Sequence, residues 1–394
     1  MMNNQAGYYM NEQVRKPGKP RVLFAIPSLA GGGAEKLLND LIPMLNNGQY
    51  ECELVILSDR NEKYLEALKA SGIKITVMPP TIKSHWESFR YLRKLIRGGN
   101  YDIVHANLFP VLYYCALAKL FGGGRARLVM TEHSTNNRRR HIPLLRPIEK
   151  LVYRQYSYVI SISQQTQNML LKWLKPSPRR LKRFVVVNNG VPLARFIAAS
   201  AYPRNQLVAT IRESDVLLCM VGTFSRQKNH LFMIDVMKKL PDNYILLLVG
   251  EGKLLDSVKE RVEEQGLAER VVFLGFRKDV AEILHTIDIS VIPSLWEGFG
   301  LVAIEAMACG KPIVVTDVPG LSDAVGDYAL KASLNDADTF ASQILRLQDS
   351  DAFSEYCSKS RERALIYDIE KMKLGYQKIY ENVMNAAAKA DSDT

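Results

Sequence analysis

The chain has no apolar run approaching the roughly 18 residues that a membrane-spanning helix needs, and its first 20 residues lack the apolar core of a secretory leader. Cysteine is sparse: five residues, odd in number and scattered through apolar segments, which excludes a disulfide framework and a zinc-binding cluster and favours reduced core thiols. Acidic residues are scarce in one half. Residues 1–188 hold 29 Lys and Arg against 12 Asp and Glu, whereas the remainder holds 23 against 29. No recognition helix or RNA-stacking motif accompanies this charge, so nucleic acid is not the expected partner.

What is present is a soluble-type composition, 47% apolar and 24% charged over 394 residues, a length that suits two domains. Short β-branched runs alternate with helical patterns, the signature of parallel α/β units. Strands are expected at Arg21–Ile26, Glu53–Leu57, Lys74–Val77, Ile103–His105, Arg127–Thr131, Tyr158–Ser161 and Arg183–Val187. A second set follows at Val216–Val221, Tyr244–Val249, Val271–Leu274, Ile287–Ile292 and Ile313–Val315. The turn cluster Asn188-Asn189-Gly190-Val191-Pro192 separates the two sets. This predicts a disordered leader over 1–19, one doubly wound domain over 20–188, a second over 189–370, and a terminal helix and tail over 371–394.

The richest segment is Glu297-Gly298-Phe299-Gly300-Leu301-Val302-Ala303-Ile304-Glu305. It follows a strand and opens a helix, where backbone N–H groups and the helix dipole seat a phosphate. Gly298 and Gly300 let a ligand approach the backbone. Two carboxylates, one on the loop and one two turns along the helix, suit hydroxyl-bearing groups on either side of that phosphate. A nucleotide-sugar has this layout.

Glu-x7-Glu within Pro293–Val314 resembles the signature of the family 4 retaining glycosyltransferases, and further landmarks from Gly31 to about Tyr380 extend the likeness over nearly the whole chain. The resemblance implies an α/β, GT-B fold: two Rossmann-like domains facing a cleft. It implies transfer of a sugar, with retention, from a nucleotide-sugar, expected to be a UDP-sugar, to a hydroxyl of a glycan acceptor. In this family Glu305 would bind the ribose hydroxyls. Glu297 would hold the donor sugar with the backbone of Gly298, Phe299, Gly300 and Leu301.

Other strand-end loops carry further candidates. Gly32 and Gly33, in Gly31-Gly32-Gly33-Ala34-Glu35-Lys36, resemble the family's loop beside the donor diphosphate. Gly222, Arg226 and Lys228 open the second domain in the equivalent place, two cations suited to a pyrophosphate. The family's usual arginine position is Thr223 here, so Arg226 is the expected substitute. Gly250 and Phe276, with Arg277, end the next two strands and resemble loops that border the base. His105 and His133 both end strands; Thr131-Glu132-His133 resembles a family motif, which makes His133 the candidate beside the reacting carbon. Ser163 reads as a helix N-cap. Asp336-Ala337-Asp338 and Asp349-Ser350-Asp351 read as helix caps rather than a metal pair, so no metal and no cofactor is expected. Basic clusters at 90–97, 138–141 and 172–183, with Trp86, Phe89, Tyr91 and Trp173 among them, suggest an anionic membrane surface. Together these suggest a cytoplasmic enzyme, peripheral on the inner face of the cell membrane, with a lipid-linked acceptor. A UDP-sugar 2-epimerase on the same scaffold and a non-catalytic nucleotide-sugar-binding protein are the alternatives.

Overall fold

The computed structural model describes residues 18–58, 63–135, 138–208 and 211–392; the leader expected over 1–19 lies almost wholly outside them. Two parallel sheets form. The first contains β1 (Arg21–Ile26), β2 (Glu51–Ile56), β3 (Lys74–Val77), β4 (Ile103–Asn107), β5 (Arg127–Glu132), β6 (Tyr158–Ser161) and β7 (Phe184–Val186). The second contains β8 (Val216–Val221), β9 (Tyr244–Val249), β10 (Val271–Gly275), β11 (Ile289–Ile292), β12 (Ile313–Thr316) and β13 (Leu330–Ala332). Strand order is β3-β2-β1-β4-β5-β6-β7 in one and β10-β9-β8-β11-β12-β13 in the other. The order therefore reverses between β1 and β4, and again between β8 and β11. Ligands of open α/β sheets bind at such reversals, outside the strand carboxyl ends.

Why these runs become central strands is visible in their burial. Leu217, Leu218, Leu246 and Leu247 are completely buried, as are Phe24 and Ala25, because helices cover both faces of each sheet. β13 is the one strand the sequence reading lacked. Its three residues, Leu330, Lys331 and Ala332, are too few and too plain to show a period.

The terminal helix Ile369–Ser392 returns to the first sheet. Ile369, Met372, Tyr376, Ile379, Tyr380 and Val383 recur at helical spacing and are buried in the core that contains Phe24, Leu38 and Leu54. Burying six side chains of this size contributes on the order of 10 kcal/mol of apolar transfer free energy. The two chain passages between the sheets also pair with each other: Val191 N donates to Tyr367 O at 2.8 Å, and Ile369 N to Val191 O at 3.0 Å.

Candidate functional site

Each candidate loop leaves one of the two reversal points. The glycine loop follows β1, His105 and Asn107 end β4, Gly222–Asn229 follows β8, and Glu297 follows β11. The loops meet across the gap between the sheets. Gly300 begins the helix Leu301–Ala308 with φ +90°, a backbone state that side chains disfavour. Gly298 is required for space: a Cβ there would stand 2.4 Å from the carbonyl oxygen of His133 in the opposite domain. Thr135 Oγ1 donates to the Glu297 carbonyl at 2.9 Å, and Ser163 Oγ to that of Gly298 at 3.4 Å. Ser163 also caps its helix, accepting from Thr166 N at 3.1 Å. The side chain of Phe299 is buried against Tyr367, so only its backbone is available to a ligand. Leu301 is the neighbour that a Cβ on Gly33 would meet, at 3.7 Å, while Gly32 precedes the first helical residue and lies over Glu35.

The two glutamates are held differently. Glu297 is 6% exposed. Its Oε1 accepts from Lys228 Nζ at 2.6 Å and from Ser294 Oγ at 2.8 Å, and its Oε2 from Gln227 Nε2 at 3.3 Å. Glu305 is 1% exposed. Its Oε1 accepts from Lys36 Nζ of the first domain at 2.5 Å, and its Oε2 is buried with no hydrogen-bond partner among the described residues. An unsatisfied buried carboxylate oxygen costs free energy, and a hydroxyl-bearing ligand relieves that cost. Lys36 lies between this carboxylate and Asp40, whose pKa burial raises and Lys36 lowers.

Gly222, Gly250 and Gly275 stack turn on turn at the ends of β8, β9 and β10: Gly222 N donates to Val249 O at 2.9 Å and Gly250 N to Gly275 O at 2.8 Å. Gly250 cannot carry a side chain, because its Cβ would sit 2.0 Å from Gly222 O. Arg226 is exposed on its loop and makes no hydrogen bond or ion pair with another described residue; Lys228 is the cation that reaches Glu297. Phe276 lies under Lys63 Nζ, 3.9 Å from its ring centre, and Lys63 also pairs with Glu251 at 2.7 Å. Arg277 is bound to Asp279 instead.

His133 Nε2 lies 3.0 Å from Asn107 Oδ1, and burial pushes its pKa down to about 4, so it is neutral near pH 7. His105 does not face the cleft. It is completely buried, 2.6 Å from the Tyr380 hydroxyl and 2.8 Å from Thr131 Oγ1, and stacked between Phe24 and Tyr376. Its place is structural, clasping the terminal helix. Asp336 and Asp349 accept from Thr339 N and Ala352 N at 2.9 and 2.8 Å, as caps.

The basic triplet 138–140 needs correction as a surface cluster. The side chain of Arg138 lies outside the description, but Arg139 pairs with Glu149 at 3.4 Å and Arg140 with Glu132 at 3.1 Å, both buried acids. Trp173 is likewise committed, donating to Glu149 at 2.9 Å. These pairs anchor the loop that carries Thr135 to Glu297. Sequence reasoning missed Lys36, Lys63, Ser294, Gln227 and Asn107 as site residues. Ser294 and Gln227 stood inside the segments singled out but were given no role there, whereas Lys63 lies on a loop with no motif at all.

Comparisons with known proteins agree with this construction. The model for "Glycosyltransferase Family 4" matches residues 31–195, and that for "Glycosyl transferases group 1" matches 204–364. The UDP-Gal:alpha-D-GlcNAc-diphosphoundecaprenol alpha-1,3-galactosyltransferase of Escherichia coli is 25% identical over 80% of this chain and 85% of its own length. The N-acetylgalactosamine-N,N'-diacetylbacillosaminyl-diphospho-undecaprenol 4-alpha-N-acetylgalactosaminyltransferase of Campylobacter jejuni is 25% identical over 88% and 95%. Among solved structures, an Anabaena protein in complex with UDP and glucose has a TM-score of 0.79 at 22% identity, covering 93% of this chain and all of that one. A glycosyltransferase involved in lipopolysaccharide biosynthesis has a TM-score of 0.70 at 18% identity, covering 92% and 99%; at these identities the likeness establishes the fold, GT-B. With both halves matched in order and the two glutamates brought to one cleft, the chain belongs to the family 4, group 1 glycosyltransferases and is a glycosyltransferase enzyme.

Proposed function

We propose that the enzyme transfers a sugar from a UDP-sugar to a hydroxyl of a lipid-linked glycan, with retention of configuration, at an anionic membrane surface. The observation that carries the donor half is Glu305 Oε2, a buried acceptor without a partner among the described residues, on the helix that follows Glu297 of the Lys228–Glu297 pair. Ribose hydroxyls would satisfy Glu305, and sugar hydroxyls would take over Glu297. The lipid-linked acceptor is supported by the names of the Escherichia coli and Campylobacter jejuni relatives, both of which act on undecaprenol-diphosphate-linked saccharides. UDP is supported by the Escherichia coli donor and the Anabaena complex.

In this reading Lys228 and Arg226, with the amides that open Leu301–Ala308, stabilise the diphosphate as the anomeric C–O bond breaks. That charge grows toward the transition state, so stabilising it lowers the barrier. The acceptor oxygen attacks from the face the diphosphate leaves, and its proton passes to a departing phosphate oxygen. Neutral His133 serves as a hydrogen-bonding group beside the reacting carbon. No metal is needed, because these cations already hold the charge.

The test screens UDP-, GDP- and ADP-sugars for protection against thermal unfolding, then measures UDP release with membrane extract in EDTA and reads the product anomer by NMR. Acceptor-dependent UDP and a product with the donor's configuration are expected. A converted sugar without lasting UDP release, inversion at the anomeric carbon, or loss of activity in EDTA overturns the corresponding part.

A further inference from the structure

Of the basic clusters read from the sequence, the one over 172–183 gathers with Lys150 and Arg154 around a single cavity. From Lys150 to Arg212 the sequence contains no aspartate or glutamate. Part of this stretch closes a cavity of about 490 Å³, lined by Lys150, Arg154, Lys175, Arg179, Arg180 and Arg183. None of these six side chains has an ion-pair partner among the described residues, and no acid lines the cavity. Crowding is evident at Arg180, whose pKa burial lowers first and the facing Arg154 and Arg183 lower further. Tyr153 and Tyr156 form apolar walls, with their hydroxyls turned away to Glu132 and to the Leu112 carbonyl.

Position gives this cavity a meaning distinct from the donor cleft. Its wall includes Val159 and Phe184 at the amino ends of β6 and β7, the edge of the sheet opposite the catalytic loops. The helix Arg146–Tyr153 connects β5 to β6 and so runs from the cleft edge to the cavity edge. Along it Ile148 and Leu151 are exposed at 51% and 48%, preceded by Leu144 at 84%, a spacing that aligns them on one face. Leu181, beside Arg180, is exposed as well. Apolar side chains bordering unpaired cations match a membrane interface, where the former enter the acyl boundary and the latter meet phosphate.

We infer that this cavity seats the phosphate headgroup of an anionic phospholipid while Leu144, Ile148, Leu151 and Leu181 enter the bilayer interface. Arginine suits this role because its fork binds phosphate oxygens in pairs. Docking along this helix leaves the cleft at the membrane edge, within reach of an acceptor carried by lipid. The inference deepens the membrane-surface reading above but is tested without donor or acceptor.

The experiment measures binding of the full chain to vesicles of phosphatidylcholine alone and mixed with phosphatidylglycerol. Each basic residue near such a surface is worth about fivefold in partition, so Arg154→Gln/Arg180→Gln/Arg183→Gln should weaken binding by on the order of a hundredfold. Arg90→Gln/Lys94→Gln/Arg97→Gln, equal in charge removed, should weaken it far less. Leu151→Trp should shift its emission to the blue on mixed vesicles. Equal losses from both triple variants, or no blue shift on vesicles that the Trp variant binds, overturn the inference. It is also overturned if the first triple variant keeps vesicle binding and loses only protection by inorganic pyrophosphate, or only binding to RNA. UDP protection of the same variants reports the cleft separately and should be unchanged.

Discussion

Acidification tests the buried histidines quantitatively. His105 and His230 are 0% and 2% exposed, and burial pushes both pKa values down to about 3. His105 is held between the terminal helix and β5, and His230 lies stacked on Phe224 at 4.1 Å, with Lys228 adding to its depression. In the unfolded chain both titrate near 6.5. The unfolded state therefore binds more protons as pH falls below 6.5, and stability is lost from there down toward pH 3. At pH 5 each histidine costs about 2 kcal/mol relative to pH 7, so the pair removes about 4 kcal/mol. That is a large share of the roughly 5–15 kcal/mol that holds a domain together. Urea unfolding at pH 7, 6 and 5 gives the slope, and His105→Asn should flatten it by about 1.4 kcal/mol per pH unit. The terminal helix should lose amide protection first in the wild type. An unchanged slope in His105→Asn would show that the clasp does not remain neutral and would refute the reasoning.

Three shorter expectations concern the cleft. Glu305→Ala should weaken UDP binding by about 10- to 100-fold in calorimetry, the loss of a charge-assisted hydrogen bond. Lys228→Met should lower kcat about 10²- to 10³-fold, more than it raises KM, since the diphosphate gains a further charge as the bond breaks. Gly298→Ala should disturb the contact with the His133 carbonyl, 2.4 Å from the added carbon; lowered kcat/KM with a nearly unchanged melting temperature would confirm that the strain falls on domain approach rather than on folding.

The sheets were legible because parallel strands buried on both faces leave continuous β-branched runs, and only the three-residue β13 escaped. Glu297 and Glu305 were legible because their spacing is local, one on the loop and the other on the helix Leu301–Ala308 that the loop opens. Contacts between domains were not. Lys36 reaches Glu305 across 269 positions of sequence, and Lys63 reaches Phe276 from a loop with no local signature. Charge proved the least readable property. Arg139 and Arg140 look like half of a basic surface cluster, yet their partners are buried acids brought near by the fold, Glu149 on the helix Arg146–Tyr153 and Glu132 at the end of β5.

The lysines of the cleft lead to one more expectation. Glu297, Glu305 and Glu251 each receive a lysine: Lys228, Lys36 and Lys63. Two of those lysines come from the opposite domain. A bare carboxylate buried in such a cleft is costly, and so is a bare ammonium. A nucleotide-sugar brings both missing partners at once, hydroxyls for the carboxylates and a diphosphate for the lysines. Binding would then exchange ion pairs without stranding either charge, and Lys36 would pass from Glu305 to phosphate. Lys36→Gln separates this exchange from simple support of Glu305. If Lys36 only neutralises the carboxylate, UDP and uridine should change in affinity together. If it moves to the diphosphate, UDP should lose about 10-fold or more relative to uridine, the worth of a charge-assisted contact. Calorimetry with the two ligands decides, and equal changes would refute the exchange.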